Sequence, residues 1–545
     1  MKALRKILKH IIALLIISIV INISEGHPKN VLMIVADDLG WNDVSWHNPE
    51  VIMPNLARLA SEGLIMENNY VLPTCSPSRS ALLTGYYPIH TGLQYIPLSS
   101  TEPVGLPTKF RLLPEYLKGL GYSTHMAGKW HLGFCAQEYL PTSRGFDSYR
   151  GLWLGRGDHE KHSGAGMLED GTSANGYDFH YDEAIDRSVV DIDTSQIIAD
   201  TFIAMLDDRV NIESLDLITT NESQKNMASY QDSNPFFFYA AFQDVHSPLQ
   251  VQEDYESLYS NIQDPARRKL LGMVTRLDTM VGRMVDHLKQ LTYAVEGNMR
   301  SVLEDTIIIF TSDNGGQSDG IGYAGSSNIP LSGRKGDLLE GGCRVPGFIF
   351  NSGRTGVTSE LFHMTDWLPS VYAGFAEGDI KDLPNDLDGM NQVNLLTLSD
   401  GVSNRDEVLY DIANFESTNF TLVQPEYPEN PVFSGCFGAA LRYGAYKLIL
   451  GCSTLIGCSR NFNSTMGGNM SIESVLLYNL EEDPAETNDL ANDPTYYAIK
   501  EDLAERIQFH YNTAVSPLVF KNTPEGFPKD GEFVTGWCEP IVNSF

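Results

Sequence analysis

Asn30-Val-Leu-Met-Ile-Val-Ala-Asp37-Asp38-Leu-Gly40 is an apolar run that stops on two adjacent carboxylates. It does not alternate with polar residues, so it predicts a strand covered on both faces, as strands of parallel sheets are. The same texture returns in Pro235-Phe-Phe-Phe-Tyr-Ala-Ala-Phe242, Thr306-Ile-Ile-Ile-Phe-Thr311 and Val345-Pro-Gly-Phe-Ile-Phe350. Helical patterns lie between such runs. In Met53-Pro-Asn-Leu-Ala-Arg-Leu-Ala-Ser-Glu-Gly63 the apolar residues share one face and a glycine ends the pattern. Alternating strands and helices predict an α/β domain whose mixed, mostly parallel central sheet is flanked by helices. The texture changes past about residue 400. Ala439 to Leu450 reads as a hairpin turning near Tyr443-Gly444, and Ser474 to Asn479 as a further strand. These predict a smaller C-terminal domain with an antiparallel sheet. The expected divisions are 1–26, 27–400 and 401–545.

Composition agrees with two cores, since 545 residues exceed the usual size of one. Residues 1–26 read as a signal peptide. Lys2, Arg5, Lys6 and Lys9 form a basic start, Ile11 to Ile23 an apolar core, and Ser24-Glu25-Gly26 a small-x-small cleavage site. A membrane anchor is the competing reading, and the apolar core falls short of the roughly 20 residues a span needs. No later run is long enough, so no membrane span is expected after cleavage. The net charge of −32 opposes binding to nucleic acid or anionic membranes. An anionic substrate must therefore meet a local cluster of cations. Asn-x-Ser/Thr sequons at Asn221, Asn419, Asn463 and Asn469 fit passage through the secretory pathway.

Seven cysteines leave one over in an oxidising compartment. Cys436, Cys452 and Cys458 are close enough in sequence to expect at least one disulfide among them. Cys343, between two glycines and an apolar run, is expected to be a buried free thiol.

Asp37-Asp38 closes one predicted strand and Asp313-Asn314-Gly-Gly316 another. Ligand sites of open α/β sheets gather at the carboxyl ends of strands, so the two acid pairs are placed to converge. An oxygen-only donor set suits a hard cation, Ca²⁺ or Mg²⁺, whereas zinc would recruit His or Cys. Each pair taken alone is also an ordinary turn former.

Thr74-Cys75-Ser-Pro-Ser-Arg79, followed by Leu83-Thr84-Gly85, resembles the signature of the sulfatase family. The resemblance spans nearly the whole mature chain. It takes in Val35 to Gly40, Gly128-Lys-Trp-His-Leu-Gly133, Val245-His-Ser-Pro248, Thr311 to Gly315 and Gly333-Arg-Lys335. Within the family the chain is most similar to the arylsulfatase B group, whose type member is an N-acetylgalactosamine-4-sulfatase. Met53 to Leu56, Leu140-Pro-Thr-Ser-Arg-Gly-Phe-Asp147 and Leu339-Glu-Gly-Gly342 support that likeness.

The resemblance implies an alkaline-phosphatase-like fold and conversion of Cys75 to formylglycine by the formylglycine-generating enzyme during secretion. It assigns Asp37, Asp38, Asp313, Asn314 and the modified Cys75 to one Ca²⁺. Arg79, Lys129, His131, His246 and Lys335 are placed around the sulfate. One hydroxyl of the hydrated aldehyde would attack sulfur, and the second would expel sulfate by collapse to the aldehyde. His246 with Lys335 is expected to protonate the leaving oxygen. His131 is the expected base for the collapse, with Lys129 holding the diol. The implied substrates are sulfated glycosaminoglycan sugars or aryl sulfates, and the implied location is lysosomal or extracellular. The competing readings are a phosphoester or phosphonate hydrolase of the same superfamily and a secreted, non-catalytic glycan-binding homologue. Two features depart from the family pattern: Cys343 itself, and the loop 151–180 with Trp153, Arg156, His159, Lys161 and His162.

Overall fold

The computed structural model describes residues 28–94, 97–168, 170–209, 234–295, 298–319, 324–414, 437–454, 475–518 and 520–542. The expected signal peptide, all four sequons, Cys436 and Cys458 lie outside these residues. Among the described residues no helix is long and apolar enough to cross a membrane.

Ten strands form one sheet. In chain order they are β1 (Asn30–Ala36), β2 (Leu64–Tyr70), β3 (Ser123–Gly128), β4 (Ser148–Gly151), β5 (His180–Tyr181), β6 (Ala184–Ile185), β7 (Phe236–Ala241), β8 (Thr306–Ser312), β9 (Phe348–Phe350) and β10 (Gly356–His363). Their order across the sheet is β10-β2-β9-β8-β1-β7-β3-β4-β5-β6. The block β8-β1-β7-β3-β4 is parallel throughout. β9 runs antiparallel to both neighbours, and β10 runs parallel to β2. The sheet is therefore mixed and mostly parallel, as the unbroken apolar runs imply.

Side chains alternate across β1, so Val31, Met33 and Val35 enter one core while Leu32, Ile34 and Ala36 enter another. The second core is closed by helices α1 (Pro54–Glu62), α3 (Thr194–Asp207) and α4 (Pro265–Gln290), and the first by α2 (Cys75–Thr84) among others. Gly63 ends α1 without a left-handed conformation, at φ −108°. Its need for glycine is contact: a Cβ there would sit 2.4 Å from the carbonyl oxygen of Ile349. The predicted strand 345–350 is shortened to β9. Pro346 has no N–H for a ladder, and a Cβ on Gly347 would meet Asn69 Nδ2 at 2.4 Å.

The smaller sheet is antiparallel, with order β11 (Glu407–Asn414), β12 (Phe437–Tyr443), β13 (Tyr446–Gly451) and β14 (Val475–Asn479). Tyr443 pairs with Tyr446 and Gly444 takes φ 57°, which makes the expected hairpin turn. Helix α5 (Tyr497–Thr513) packs Leu503 and Ile507 on one face of this sheet. The other face meets Tyr70, Leu338 and Cys343 of the large unit. Beyond α5 the chain returns to the large unit. Val515 donates to Ile89 O, Leu518 to Gly92 O and Thr523 to Thr101 O, and Phe533 enters the large core. Cys538 there is disulfide-bonded to Cys135, 403 positions away in sequence. Cys343 is buried and free, as expected.

The seam between the two units holds buried charge. Lys447, 0% exposed, donates to Glu340 Oε1 at 3.1 Å and pairs with Glu486 Oε1 at 2.7 Å. Tyr70 and Tyr410 donate to the other lone pairs of Glu340, and Glu340 N donates to Glu486 Oε2 at 2.7 Å. Removing the shared cation strands two buried carboxylates. Lys447→Met is expected to cost about 3–5 kcal/mol of unfolding free energy, read from the urea midpoint.

The two acids titrate in opposite directions. Burial alone would raise Glu340, but Lys447, Arg344 and Arg442 outweigh it and hold it at about 2. Its stabilisation is present above the unfolded value of 4.5 and is lost as pH falls through about 2. Burial raises Glu486 to about 7 despite Lys447, so its contribution is present below 4.5 and is lost as pH rises through about 7. Glu486→Gln, which stays uncharged, is expected to gain stability relative to wild type between pH 5 and pH 8. A difference independent of pH in urea unfolding would show that Glu486 stays ionised throughout.

Candidate active site

The carboxyl ends of β1, β3, β7 and β8 open onto one place, as the topology of an open α/β sheet favours. Asp37 and Asp38 follow β1, Lys129 and His131 follow β3, His246 follows β7, and Asp313 and Asn314 follow β8. Helix α2 brings Cys75 as its first residue and Arg79 one turn on. It stops at Gly85, whose φ of 72° lets its N–H return to Ala81 O. Lys335 enters from the loop before the Leu339-Glu-Gly-Gly342 turn. That turn presses on the β8 end so closely that a Cβ on Gly315 would sit 1.9 Å from Gly341 O. All ten residues singled out from sequence are therefore brought together, and all except Lys335 are buried.

Their contacts form a lattice of alternating charge. Lys129 Nζ donates to Asp37 Oδ2 at 2.6 Å, and Arg79 donates through Nε to Asp313 Oδ2 at 3.0 Å. Lys335 Nζ donates to Asp38 Oδ1 at 2.6 Å, and Asn314 Nδ2 donates to the same atom at 2.7 Å. Three carboxylates thus face three cations. Burial, then Asp313, raises Asp37 to about 7. Burial also opposes ionisation of Asp38, but Lys335 and His246 outweigh it and hold that carboxyl well below the usual range. Burial pushes the Cys75 thiol up in spite of Lys129 and Lys335, so an unmodified Cys75 is protonated and a weak nucleophile.

The donor set fits a hard cation. Ligand atoms of Asp37, Cys75 and Asp313 lie within 4.8 Å of one another, as do those of Asp37, Asp38 and His246. Asp37 Oδ1 and Asn314 Oδ1 are buried with no hydrogen-bond partner, an expensive arrangement unless a cation meets them. The sulfur of Cys75 is the one soft donor in the first group, and its replacement by oxygen would make that group uniform. Asp38 and His131 hold φ at 62° and 56°, in the left-handed region that Asp and His enter more readily than most residues.

The two histidines differ in where their proton sits. His131 Nε2 lies 3.0 Å from Leu98 O, a pure acceptor, so Nε2 carries the hydrogen. Nδ1 keeps its lone pair and has no partner, though buried. Burial, with Lys129, holds this ring neutral, well below the usual histidine range. His246 is reversed: Nδ1 lies 2.6 Å from Ser247 O and donates to it, leaving the Nε2 lone pair 3.6 Å from Asp38 Oδ2. Burial lowers His246 to about 3, Asp38 pulling the other way.

In the loop 151–180, Arg156 and Lys161 are exposed, while Trp153, His159 and His162 are buried. Trp153 stacks on His180 with ring centroids 3.4 Å apart, and with Leu154 and Gly155 it lines a hollow beside His131. Gly155 is required there, since a Cβ would meet His131 Cε1 at 2.4 Å. Sequence reasoning misses the ion pairs behind the site. Arg276 of α4 binds Asp244 and Asp193, and nothing in its helix marks it off from a surface cation.

A family model described as Sulfatase matches residues 29–374. Arylsulfatase J of Mus musculus is 34% identical over 524 residues, covering 92% of this chain and 78% of that protein. Arylsulfatase A of Homo sapiens is 29% identical, covering 87% and 86%. The crystal structure of Ps i-CgsB in complex with k-i-k-neocarrahexaose aligns with a TM-score of 0.67 over 92% of this chain and 96% of that one. At 23% identity that likeness speaks for the fold. With the family match covering more than half of its length and joining the fold to the acid, cation and cysteine cluster, the chain belongs to the sulfatase family.

Proposed function

We propose that the chain hydrolyses sulfate esters of sulfated sugars, using Cys75 converted to formylglycine and one Ca²⁺ held by Asp37, Asp38, Asp313 and Asn314. The observation that carries this reading is the meeting of three carboxylates and three cations around the buried first residue of α2. When present, the ion would draw charge from sulfate oxygens, and the hydrated aldehyde would offer one hydroxyl for attack and another for product release.

The chain's own groups do the rest. Lys129, Lys335 and Arg79 are fixed donors for the charge that develops on the sulfuryl oxygens, and the positive end of the α2 dipole favours the same anion. His131, neutral with an unpartnered Nδ1 lone pair, accepts the proton that product release sets free. His246 is neutral before substrate binds, so it must gain a proton at Nε2 before it can give one to the leaving oxygen. Lys335 lies against the same carboxylate as His246 and is held protonated by it, so it stays a cationic hydrogen-bond donor beside the leaving oxygen, and the proton that His246 takes up comes from solvent.

The narrower reading is an N-acetylgalactosamine-4-sulfatase of the arylsulfatase B kind, lysosomal or extracellular, matured by the formylglycine-generating enzyme. The motifs 53–56, 140–147 and 339–342 support it. Mass spectrometry of the Cys75 peptide, from protein secreted by cells with that enzyme, is expected to find the aldehyde. The same material should turn over aryl sulfates faster than aryl phosphates. An unmodified thiol would favour the glycan-binding homologue, and faster phosphate turnover would favour the phosphohydrolase.

A further inference from the structure

We propose that His159, in the loop that departs from the family pattern, is a positioning residue that fixes the orientation of His246. The proposal rests on the reading of His246 as a participant in sulfate-ester cleavage. His159 is 0% exposed, and its Nε2 lies 3.2 Å from the backbone carbonyl of His246. Its Nδ1 lies 3.4 Å from an Arg276 guanidinium nitrogen, which can only donate. Asp244 Oδ1 also lies 3.5 Å from Nδ1, but the His246 carbonyl can only accept, so the hydrogen is on Nε2 and the neutral ring keeps its Nδ1 lone pair toward Arg276. The carbonyl and Arg276 thus set the tautomer together, and the tautomer makes the bond to the catalytic turn. Burial lowers the ring to about 4, against the pull of Asp244, so the neutral form persists.

Both ends of this link are anchored. Arg276 is held by Asp244, by Asp193 Oδ2 at 2.6 Å and by Gln250 O at 3.0 Å. His159 N donates to Gln250 Oε1 at 2.9 Å, and Thr194 Oγ1 donates to His159 O at 3.0 Å. Gln243 Nε2 donates to Gly157 O at 2.5 Å, tying the loop to the start of the His246 turn. Within that turn His246 N donates to Gln243 O at 2.9 Å, and the His246 ring donates to Ser247 O. His159 supplies the hydrogen bond to the carbonyl between these two contacts. Without it the peptide plane after His246 can turn, and the ring turns with it.

The test compares His159→Met, which fills the space without a donor, with His159→Gln, whose amide N–H reaches the same carbonyl. On an aryl sulfate, the methionine variant is expected to lower kcat about 10- to 100-fold with KM within about twofold, as a misplaced catalytic group does. The glutamine variant is expected to recover kcat to within about fivefold of wild type. Thermal midpoints are measured for both. Equal loss in both variants at matched midpoints, wild-type kcat in the methionine variant, or an effect confined to KM would overturn the proposal. Imidazole ¹⁵N NMR of wild-type protein reads the same claim without turnover. The Nε2–H tautomer of His159 is expected, and the Nδ1–H tautomer would overturn it even in a protein with no sulfatase activity. A wild-type protein that turns over no sulfate ester but holds the Nε2–H tautomer would instead count against the functional reading alone.

Discussion

Cys75→Ser is expected to end multiple turnover while leaving the fold in place. The side chain is 2% exposed at the first turn of α2, and an Oγ fits where an Sγ did. The thermal midpoint should therefore stay close to wild type. Serine carries a single hydroxyl, whereas the proposed chemistry needs a second one on the same carbon to expel sulfate. Steady-state turnover should fall by about 10⁴-fold or more, the scale seen when a nucleophile is removed. Arg79, Lys129 and Lys335 remain in place to bind the anion, so the variant should release no more than one equivalent of alcohol per chain and then stop. Alcohol and sulfate followed separately over time would read this. Sustained turnover near the wild-type rate would sink the two-hydroxyl reading, because serine has no means of sustaining it.

How far the sequence could be read follows from what each element asks of it. β1, β7 and β8 are covered on both faces by the two cores, so their composition had to be unbroken and apolar, and their pattern is plain. β5 and β6 have two residues each, too few for any period, and β9 keeps three residues because Pro346 and Gly347 interrupt its run. The partner of Cys135 lies 403 positions away, and spacing carries no signal over that distance.

The strand pattern marked only the two acid pairs of the site; Arg79, Lys129, His131, His246 and Lys335 were named by the resemblance to the sulfatase motifs, since β3 has no unbroken apolar run and Lys335 enters from a loop. Neither source placed the protons of the site. Leu98 O and Ser247 O, two ordinary backbone carbonyls, decide which nitrogen of His131 and His246 keeps a lone pair. The pairing of Arg276 with Asp244 was equally hidden, because a buried arginine in α4 reads like any basic residue on a helix until its neighbours are known.

His131→Ala tests the assignment of those protons most directly. The ring is neutral, its Nε2–H is committed to Leu98 O, and its other nitrogen is buried without a partner. Such a group is a waiting proton acceptor, and it stays in that form through mild acid because burial holds it well below the usual histidine range. If it serves the release of sulfate, its loss should slow the second half of the reaction and spare the first. The alanine variant is then expected to show a burst of about one alcohol per chain, followed by a steady state about 10²- to 10⁴-fold below wild type. Rapid-mixing measurement of alcohol against sulfate separates the two halves. Equal, slow release of both without a burst would move His131 to the cleavage step, where His246 and Lys335 are placed. That outcome would exchange the roles of the two histidines, and the positions of their lone pairs would then need a different account.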